Sequence, residues 1–193
     1  MSKIIDLIDS YIDRDPAAKG RIETLFTSPG LHSIGIYKLS NFLWSIRLTI
    51  IARLLSYIGR ILTGIEIHPA AKIGERFFID HGMGVVIGET AEIGDNVTIY
   101  HGVTLGGIMP AVKSSEQVGV KRHPTLEDDV IVGSGAQILG PIIIKSCARI
   151  GSNAVVTKDV PKGGIMVGIP AKNIQSKSKK TDNTFAPYAV TKK

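Results

Sequence analysis

The chain has a single cysteine and no long apolar run that is free of charge. Because Cys147 stands alone among the 193 residues, no disulfide can form within the chain, and this composition fits a reducing cytoplasm. The most apolar stretch, 43–62, is interrupted by Arg47, Arg53 and Arg60. Three arginines at these intervals exclude a membrane span and favour amphipathic helices.

A secretory leader and a basic face for nucleic acid are also lacking. Residues 1–15 are acidic and amphipathic rather than basic and then apolar, which is unlike a signal peptide. The formal net charge is +6, but residues 173–193 supply +4 through five lysines against Asp182, which leaves +2 elsewhere. Since no aromatic residues interleave with a basic stripe, we expect neither nucleic-acid nor membrane partners, and we predict a cytoplasmic protein.

What the sequence does have is an aliphatic residue at every sixth position through most of its last two-thirds. Six is the period of neither a helix nor a strand, and a fixed long period indicates one unit stacked on itself. Glycine and Asx residues follow many of these positions and suit tight corners. The aliphatic positions form three runs: Ile67, Ile73, Ile79 and Val85; Ile87, Ile93, Ile99 and Leu105; and Leu126, Val132, Ile138, Ile144, Ile150 and Val156.

This pattern predicts a parallel β-helix, with three short strands per turn around a core of stacked aliphatic side chains. The alternative, a β-sandwich, would show irregular strand spacing and longer runs of period-two alternation. Left-handed coiling, an exception to the usual crossover rule, is taken from the known hexapeptide solenoids.

The chain divides into four segments. Residues 1–64 show helical spacing of apolar residues and predict an α-helical domain, so the fold class is α+β. Residues 65–172 carry the predicted β-helix. The six-residue register fails after Leu105, and we expect a loop at 108–121 to leave one corner of the prism. Residues 173–193 are polar and lysine-rich, and we predict that they are disordered.

Three helices are predicted within the first segment. The first ends near Asp15-Pro16, and the second runs from Leu31 to about Trp44. The third ends at Thr63-Gly64 and has an apolar face. That face consists of Ile51, Leu54, Leu55, Ile58, Ile61 and Leu62.

The first candidate site lies where the repeat register slips, at Asp80-His81-Gly82. A histidine beside a carboxylate can act as a general base near neutral pH. Adjacent coils of a β-solenoid lie about 4.7–4.9 Å apart. Glu66, 14 residues before Asp80, is therefore within one shortened turn and could orient His81. The alternative is a corner histidine that bonds only to backbone.

The second candidate site follows the predicted loop, at Arg122-His123. Arginine suits the bidentate binding of a carboxylate, whereas the alternative is a solvated basic loop exit. Gly106-Gly107, before the loop, could present backbone N–H groups to an oxyanion. The histidine spacings match no compact metal signature, and Cys147 has no histidine nearby. We therefore expect neither a metal site nor a cysteine nucleophile.

Together these segments resemble the serine O-acetyltransferases, the hexapeptide-repeat acyltransferases that make O-acetylserine for cysteine synthesis. The repeat alone is shared by many proteins, whereas the Arg-Asp-Pro-Ala helix end combined with Asp-His-Gly and Arg-His-Pro is more specific. The similarity covers most of the chain. The matching segments are 14–17, 67–74, 79–82, 88–90, 102–107, 121–124 and 168–171.

The resemblance implies transfer of an acetyl group from acetyl-CoA to the hydroxyl of L-serine by direct attack, without a metal or a covalent acetyl-enzyme. His81 would be the general base, Glu66 its acidic partner, and Asp15 and Asp80 would hold the substrate ammonium group. By position, Arg122 and His123 would bind the substrate carboxylate, and His123 would also take part in catalysis. Gly107, Ser134 and Ser152 would line the CoA arm.

The resemblance also implies an assembly. The family forms homotrimers with sites between adjacent prisms, which would place His81 of one protomer opposite His123 of the next. A dimer of trimers is the larger assembly that longer relatives form. O-acetylserine sulfhydrylase (cysteine synthase) is the partner enzyme that the family implies.

Two alternatives remain open. One is an acetyl-CoA-dependent acyltransferase that acts on a sugar or on homoserine, although a sugar would not need an arginine–carboxylate fork. The other is a structural or metal-binding solenoid of the carbonic-anhydrase-like kind, which requires three histidines that converge on one metal ion. The pairing of Asp15 and Asp80 with Arg122 suits an amino-acid acceptor and favours serine acetylation.

Overall fold

The computed structural model describes residues 3–108 and 112–175 as four helices followed by a parallel β-solenoid. The lysine-rich tail predicted at the end of the chain lies outside the described residues from position 176 onward. Among the described helices, none is long and apolar enough to cross a membrane. The helices are α1 (Lys3–Ile12), α2 (Arg21–Thr27), α3 (Pro29–Ser45) and α4 (Thr49–Thr63).

Local sequence signals define the ends of the two long helices. The Ser28 hydroxyl accepts a hydrogen bond from the Leu31 N–H at 3.4 Å, and Pro29 occupies the first helical position of α3. Helix α4 ends at Gly64, which has a φ of 71° and donates its N–H to the Arg60 carbonyl at 2.8 Å.

The structure has one helix more than the three that the sequence pattern predicts. Helix α2 is only seven residues long, which is too short to show a helical period clearly. Its apolar residues Ile22 and Phe26 are 77% and 74% exposed, so they do not form a buried stripe either. The short helix could therefore not be read from periodicity.

Helix α4 turns its small residues toward the rest of the chain. Ala52, Gly59 and Thr63 are buried, and Gly59 lies against Ile36 of α3. The predicted apolar face is present, but most of it is exposed in the single chain. Its exposed members are Ile51, Leu54, Ile58, Ile61 and Leu62.

The solenoid has three strands in each complete turn, and successive turns stack in parallel. Between β7 and β8, residues Ser114–Gln117 form a short 3-10 helix. In chain order the strands are β1 (Glu66–Ile67), β2 (Lys72–Ile73), β3 (Phe78–Asp80), β4 (Val86–Ile87), β5 (Glu92–Ile93), β6 (Thr98–Tyr100), β7 (Thr104–Gly106), β8 (Thr125–Leu126), β9 (Ile131–Val132), β10 (Gln137–Leu139), β11 (Ile143–Ile144), β12 (Arg149–Ile150), β13 (Val155–Val156), β14 (Ile165–Val167) and β15 (Lys172–Asn173).

These strands form the three faces of a prism. The first sheet has the order β1-β4-β7-β10-β13, and the second has β2-β5-β8-β11. The third sheet contains β3, β6, β9, β12 and β14, and β15 pairs with β14 in the antiparallel direction.

The aliphatic positions of the repeat align from turn to turn. In the first sheet, Ile67 lies opposite Ile87, and Ile87 lies opposite Leu105. These side chains are at most 4% exposed, so the prism interior is a continuous aliphatic stack. Four helices followed by a left-handed parallel β-helix confirm the predicted α+β fold class.

Helix α3 is joined to the first turn of the solenoid by two side chains. The Tyr37 hydroxyl donates to the Ala71 carbonyl at 2.6 Å, and the Asn41 amide donates to the Pro69 carbonyl at 2.7 Å. Both acceptors lie in the corner between β1 and β2. The helical region is thus attached at the end of the solenoid that carries the Asp80-His81 candidate site.

Candidate active site

Two edges of the prism carry the residues predicted to do chemistry. We call the edge between the third and first sheets the His81 edge, since His81 lies between β3 and β4. We call the edge between the first and second sheets the His123 edge, since His123 lies between β7 and β8. Most of the predicted site residues lie on or beside these two edges, whereas Glu66 lies on β1 and Asp15 follows α1.

His81 occupies an exposed corner in an unusual backbone conformation. Its φ is 58°, in the left-handed region that is disfavoured for residues other than glycine, and Gly82 follows with a φ of 81°. The imidazole is 74% exposed, and its Nε2 lies 3.9 Å from an oxygen of the Asp80 carboxylate. A titratable ring therefore stands beside a carboxylate and in contact with solvent.

A cleft of about 550 Å³ opens beside this corner. It is lined by Asp15, Asp80 and His81, which the sequence predicts as two ammonium-binding carboxylates and a general base. The cleft is thus anionic and faces one imidazole, which suits a small cationic group that carries a hydroxyl. Its other walls come from α1, α2, the start of α3 and β3, and they include a third carboxylate, that of Glu23.

Arg14 attaches the segment after α1 to the solenoid. Its guanidinium donates to the Arg76 carbonyl at 2.7 Å and to the Thr98 hydroxyl at 3.2 Å. The next residue, Asp15, accepts the Ala17 N–H at 2.8 Å in an Asx-type turn. The direction of the Asp15 carboxylate is therefore set by its own turn and by the anchored residue before it.

Tyr11 makes a second attachment, directly behind Asp80. Its hydroxyl accepts the Ile79 N–H at 3.2 Å, and its ring lies edge-on to Phe78 with centroids 4.6 Å apart. Burial raises the pKa of the Tyr11 phenol, so the hydroxyl stays neutral. Gly30 of α3 leaves the space for this contact, since a Cβ there would meet the Ile79 carbonyl and the Tyr11 hydroxyl.

Successive corners stack along the His81 edge. The rings of His81 and His101 lie 5.8 Å apart in an edge-to-face arrangement. The N–H of Gly135, which follows Ser134, donates to the His101 carbonyl at 2.9 Å. The N–H of Asn153, which follows Ser152, donates to the Ser134 carbonyl at 2.8 Å. Ser134 and Ser152 thus continue the edge on which His81 lies.

On the His123 edge, Glu89 and Thr90 of one turn bond to Arg122 and His123 of the next. The Thr90 hydroxyl accepts the N–H groups of Arg122 (3.0 Å) and His123 (3.1 Å). The Thr90 N–H donates to His123 Nδ1 at 3.1 Å, and the Thr90 hydroxyl lies 2.8 Å from the same nitrogen. The Arg122 guanidinium pairs with Glu89 at 3.2 Å.

The His123 ring is buried against backbone. The residue is 7% exposed, and its ring covers Gly88 so closely that a methyl group at that position would overlap it. Burial, followed by the charge of Arg122, lowers the pKa of His123 to about 4. The ring is therefore neutral near pH 7. Gly107 lies on the same edge, where a Cβ would contact the Arg122 carbonyl at 3.5 Å.

Glu66 lies on β1 of the first sheet, and its carboxylate pairs with Arg60 at 2.8 Å. Within residues 3–108 and 112–175, no hydrogen bond or ion pair joins Glu66 to His81. The carboxylate that the structure places near His81 is that of Asp80. The orienting role of Glu66 stays a prediction.

Cys147 lies apart from these residues, whereas His68 lies on the His123 edge, between β1 and β2. Cys147 is on the remaining edge, between the second and third sheets. The His68 Nδ1 accepts the Ala70 N–H at 3.1 Å in a corner of the first turn. In the part of the chain that the structure describes, no three His, Cys, Asp or Glu side chains are placed to hold a metal ion.

The structure thus brings together some of the predicted residues and separates others. Asp15, Asp80 and His81 share one cleft, and Ser134 and Ser152 lie farther along the same edge. Arg122, His123 and Gly107 lie together on the other edge.

Sequence reasoning gave Tyr11 no part in the site, and it noted Arg14 and Thr90 only as members of matching segments. Nothing in the local sequence marks a threonine or a tyrosine as a support, because their partners lie 33 and 68 positions away. A prediction of which turns are neighbours would be needed to find them.

Comparisons with known proteins agree with this fold. Residues 123–158 match the family described as bacterial transferase hexapeptide (six repeats). The serine acetyltransferase of Bacillus pumilus is 49% identical over 173 residues, which cover 90% of this chain and 76% of that protein. The serine acetyltransferase of Helicobacter pylori (strain J99) is 52% identical over 167 residues, which cover 86% of this chain and 94% of the relative.

A solved structure that matches this chain is also a serine acetyltransferase. The serine acetyltransferase of Neisseria gonorrhoeae in complex with serine superposes with a TM-score of 0.79 and 37% identity, and the match covers 88% of this chain and 68% of that one. Both the helices and the solenoid fall within such a match. The chain belongs to the serine acetyltransferase family.

Proposed function

We propose that this protein transfers the acetyl group of acetyl-CoA to the hydroxyl of L-serine, in the cytoplasm and as a step of cysteine biosynthesis. The observation that carries the proposal is the cleft in which His81 faces the carboxylates of Asp15 and Asp80. Family membership supports the acceptor, since a relative of this fold is solved in complex with serine.

The chemistry assigned to His81 is that of a general base. Its imidazole removes the proton of the serine hydroxyl while the serine oxygen bonds to the acetyl carbonyl carbon. The carbon–sulfur bond then breaks, and the CoA thiolate takes up the proton from the imidazolium. Cys147 lies on a different edge of the prism, which supports direct attack rather than an acetyl-cysteine intermediate.

The remaining predicted residues would bind the two substrates. Asp15 and Asp80 would hold the serine ammonium group, and Arg122 and His123 the carboxylate. Glu66 is retained as the acidic partner of His81, which requires its carboxylate to exchange Arg60 for the imidazole. The CoA arm would run past Gly107, Ser134 and Ser152.

A homotrimer would bring these groups into one site. Within one chain the ammonium-binding and carboxylate-binding residues lie on different edges, whereas one short amino acid must touch both. Placing the His81 edge of one protomer beside the His123 edge of the next joins them, as rotational symmetry allows. The exposed apolar face of α4 supports assembly, because such faces are usually covered.

The direct test is release of CoA thiol from acetyl-CoA with L-serine as acceptor. We expect His81→Ala to lose about 10²–10⁴-fold in kcat, as is typical for removal of a general base. The control is His32→Ala, an exposed histidine of α3 that lies outside the cleft. Homoserine and a galactoside serve as competing acceptors. Turnover of either in place of serine, or full activity in His81→Ala, would contradict the proposal.

A further inference from the structure

The corner Glu89-Thr90 contacts both binding residues of the His123 edge at once. Glu89 pairs with the Arg122 side chain. Thr90 makes four short contacts, to the backbone N–H groups of Arg122 and His123 and to the His123 ring. Neither residue lies in the cleft at the His81 edge. Both residues contact the segment Arg122-His123, so the corner supports this segment.

The hydrogen bonds of Thr90 allow only one arrangement of protons. A hydroxyl has one proton to donate and two lone pairs to accept with. Both lone pairs of the Thr90 oxygen are used by the N–H groups of Arg122 and His123. The remaining contact of the oxygen, 2.8 Å to His123 Nδ1, must therefore use the hydroxyl proton, which Nδ1 accepts.

A second donor reaches the same nitrogen. The Thr90 N–H points at His123 Nδ1 from 3.1 Å. If Nδ1 carried a proton, that proton would point at the Thr90 N–H, which is itself a donor. It could not bond to the Thr90 hydroxyl oxygen either, because both lone pairs of that oxygen are already used. Nδ1 is thus an acceptor, and in a neutral imidazole the proton must then sit on Nε2.

We propose that Thr90 is a positioning residue that holds His123 as the neutral Nε2–H tautomer, so that the ring presents one N–H donor to the substrate. Within the described ranges, Nε2 has no protein acceptor. The Cδ2–Nε2 side of the ring lies against Gly88, where a Cβ would overlap it, and this contact restricts rotation of the ring.

This arrangement separates the roles of the two histidines. His81, exposed beside Asp80, can accept a proton, whereas His123 is held to donate a hydrogen bond. The low pKa of His123 agrees with this role, since burial and the positive charge of Arg122 disfavour a second proton, while Glu89 acts in the opposite direction. His68 and Lys121 also face the ring and disfavour the charge.

The tautomer can be observed without any assay of activity. Long-range proton–nitrogen NMR of the histidine-labelled protein distinguishes a protonated ring nitrogen from an unprotonated one, and His123→Gln identifies the resonances. We expect Nδ1 of His123 to be unprotonated and Nε2 protonated throughout pH 6–8. A wild-type spectrum with the proton on Nδ1, or with both nitrogens protonated, would overturn the proposal.

Variants test the part played by Thr90. Thr90→Val removes the hydroxyl at nearly constant shape, and we expect a mixture of tautomers. The KM for serine should rise about tenfold, as for the loss of one oriented hydrogen bond, with kcat and the KM for acetyl-CoA changed less than about threefold. Thr90→Ser keeps the hydroxyl and should restore both the spectrum and the KM. A single Nε2–H tautomer in Thr90→Val would refute the role.

Thr125→Val is the matched control. Thr125 lies two residues beyond His123, and its hydroxyl donates to Glu92 at 3.4 Å. We expect this variant to leave the tautomer and the KM unchanged. The kinetic expectation rests on the proposed function, whereas the NMR assignment does not. Absence of serine turnover in the wild type would therefore refute the function and leave the tautomer result to decide the inference.

Discussion

The two histidines of the candidate site differ because their corners differ. His81 has a positive φ and is exposed, whereas His123 is buried against a glycine and bonded through Nδ1. A left-handed conformation at a residue other than glycine or Asx costs free energy. Gly82, which follows, also has a positive φ. The same residue type therefore has a different proton chemistry in each place.

The pH dependence of stability tests the environment of His123. Its folded-state pKa is about 4, below the unfolded value of 6.5, so the unfolded chain binds a proton between these pH values and the folded chain does not. Stability from this group is present above pH 6.5 and is lost as the pH falls to 4. We expect His123→Gln to weaken this loss by on the order of 1–2 kcal/mol.

Chemical denaturation at several pH values measures this effect. The slope of unfolding free energy against pH is compared between wild type and His123→Gln. Equal slopes for wild type and His123→Gln between pH 6.5 and 4 would show that the ring is not held neutral by its surroundings.

At this scale, the sequence could show which residues carry chemistry but not what supports them. Asp80 and His81, like Arg122 and His123, are neighbours in the chain and can be recognised there. Thr90 acts across 33 positions, and that separation depends on the length of the loop between β7 and β8. A six-residue period does not specify the length of an inserted loop.

Among the elements, the join between α1 and the solenoid matters most for the site. Arg14 bonds the carbonyl of Arg76 and the hydroxyl of Thr98, while Asp15 beside it reaches into the cleft. If the proposed function is right, serine binding depends on a helix end that is held by the first two turns of the solenoid.

Substitution of Arg14 tests this dependence. Arg14→Ala should raise the KM for serine about tenfold, because Asp15 loses its anchor, and should lower stability by about 1–2 kcal/mol through lost hydrogen bonds. The KM for acetyl-CoA should not change. Steady-state kinetics with each substrate, together with thermal melting, provide the measurements.

Arg21→Ala is the control for the Arg14 variant. It removes an exposed arginine of α2 that bonds Asp9 rather than the solenoid. We expect kinetics close to wild type, since exposed ion pairs contribute little. If Arg14→Ala changed stability and both KM values alike, Arg14 would be a general structural contact rather than a support of Asp15.

Elements with a strong period were predictable, and short ones without it were not. The helical spacing of α4 and the hexad strands could be read directly from the chain. Helix α2 was missed because its seven residues expose Ile22 and Phe26. Its position matters, since Thr24 and Thr27 line the cleft.

At the scale of the whole molecule, the β-solenoid is a regular prism that carries candidate site residues on two of its edges. Register pairs such as Ile79 with Ile99 and Ile99 with Val132 continue the aliphatic stack from turn to turn, which keeps each edge straight. This part of the fold was predictable because every turn repeats the same rule. The complete site could not be read from this period, because its residues lie on two different edges of one prism. The family resemblance implies, and the proposed function requires, a second protomer that joins the two edges.

Co-expression of two inactive variants tests the shared site most directly. His81→Ala and His123→Ala chains would carry different affinity tags. Trimers that contain both chains would be isolated by two successive affinity steps, one for each tag. If each site takes His81 from one protomer and His123 from the next, every mixed trimer contains one intact site. The account predicts about one third of wild-type serine turnover per mixed trimer, against almost none for either parent. Mixed trimers as inactive as their folded parents would contradict it.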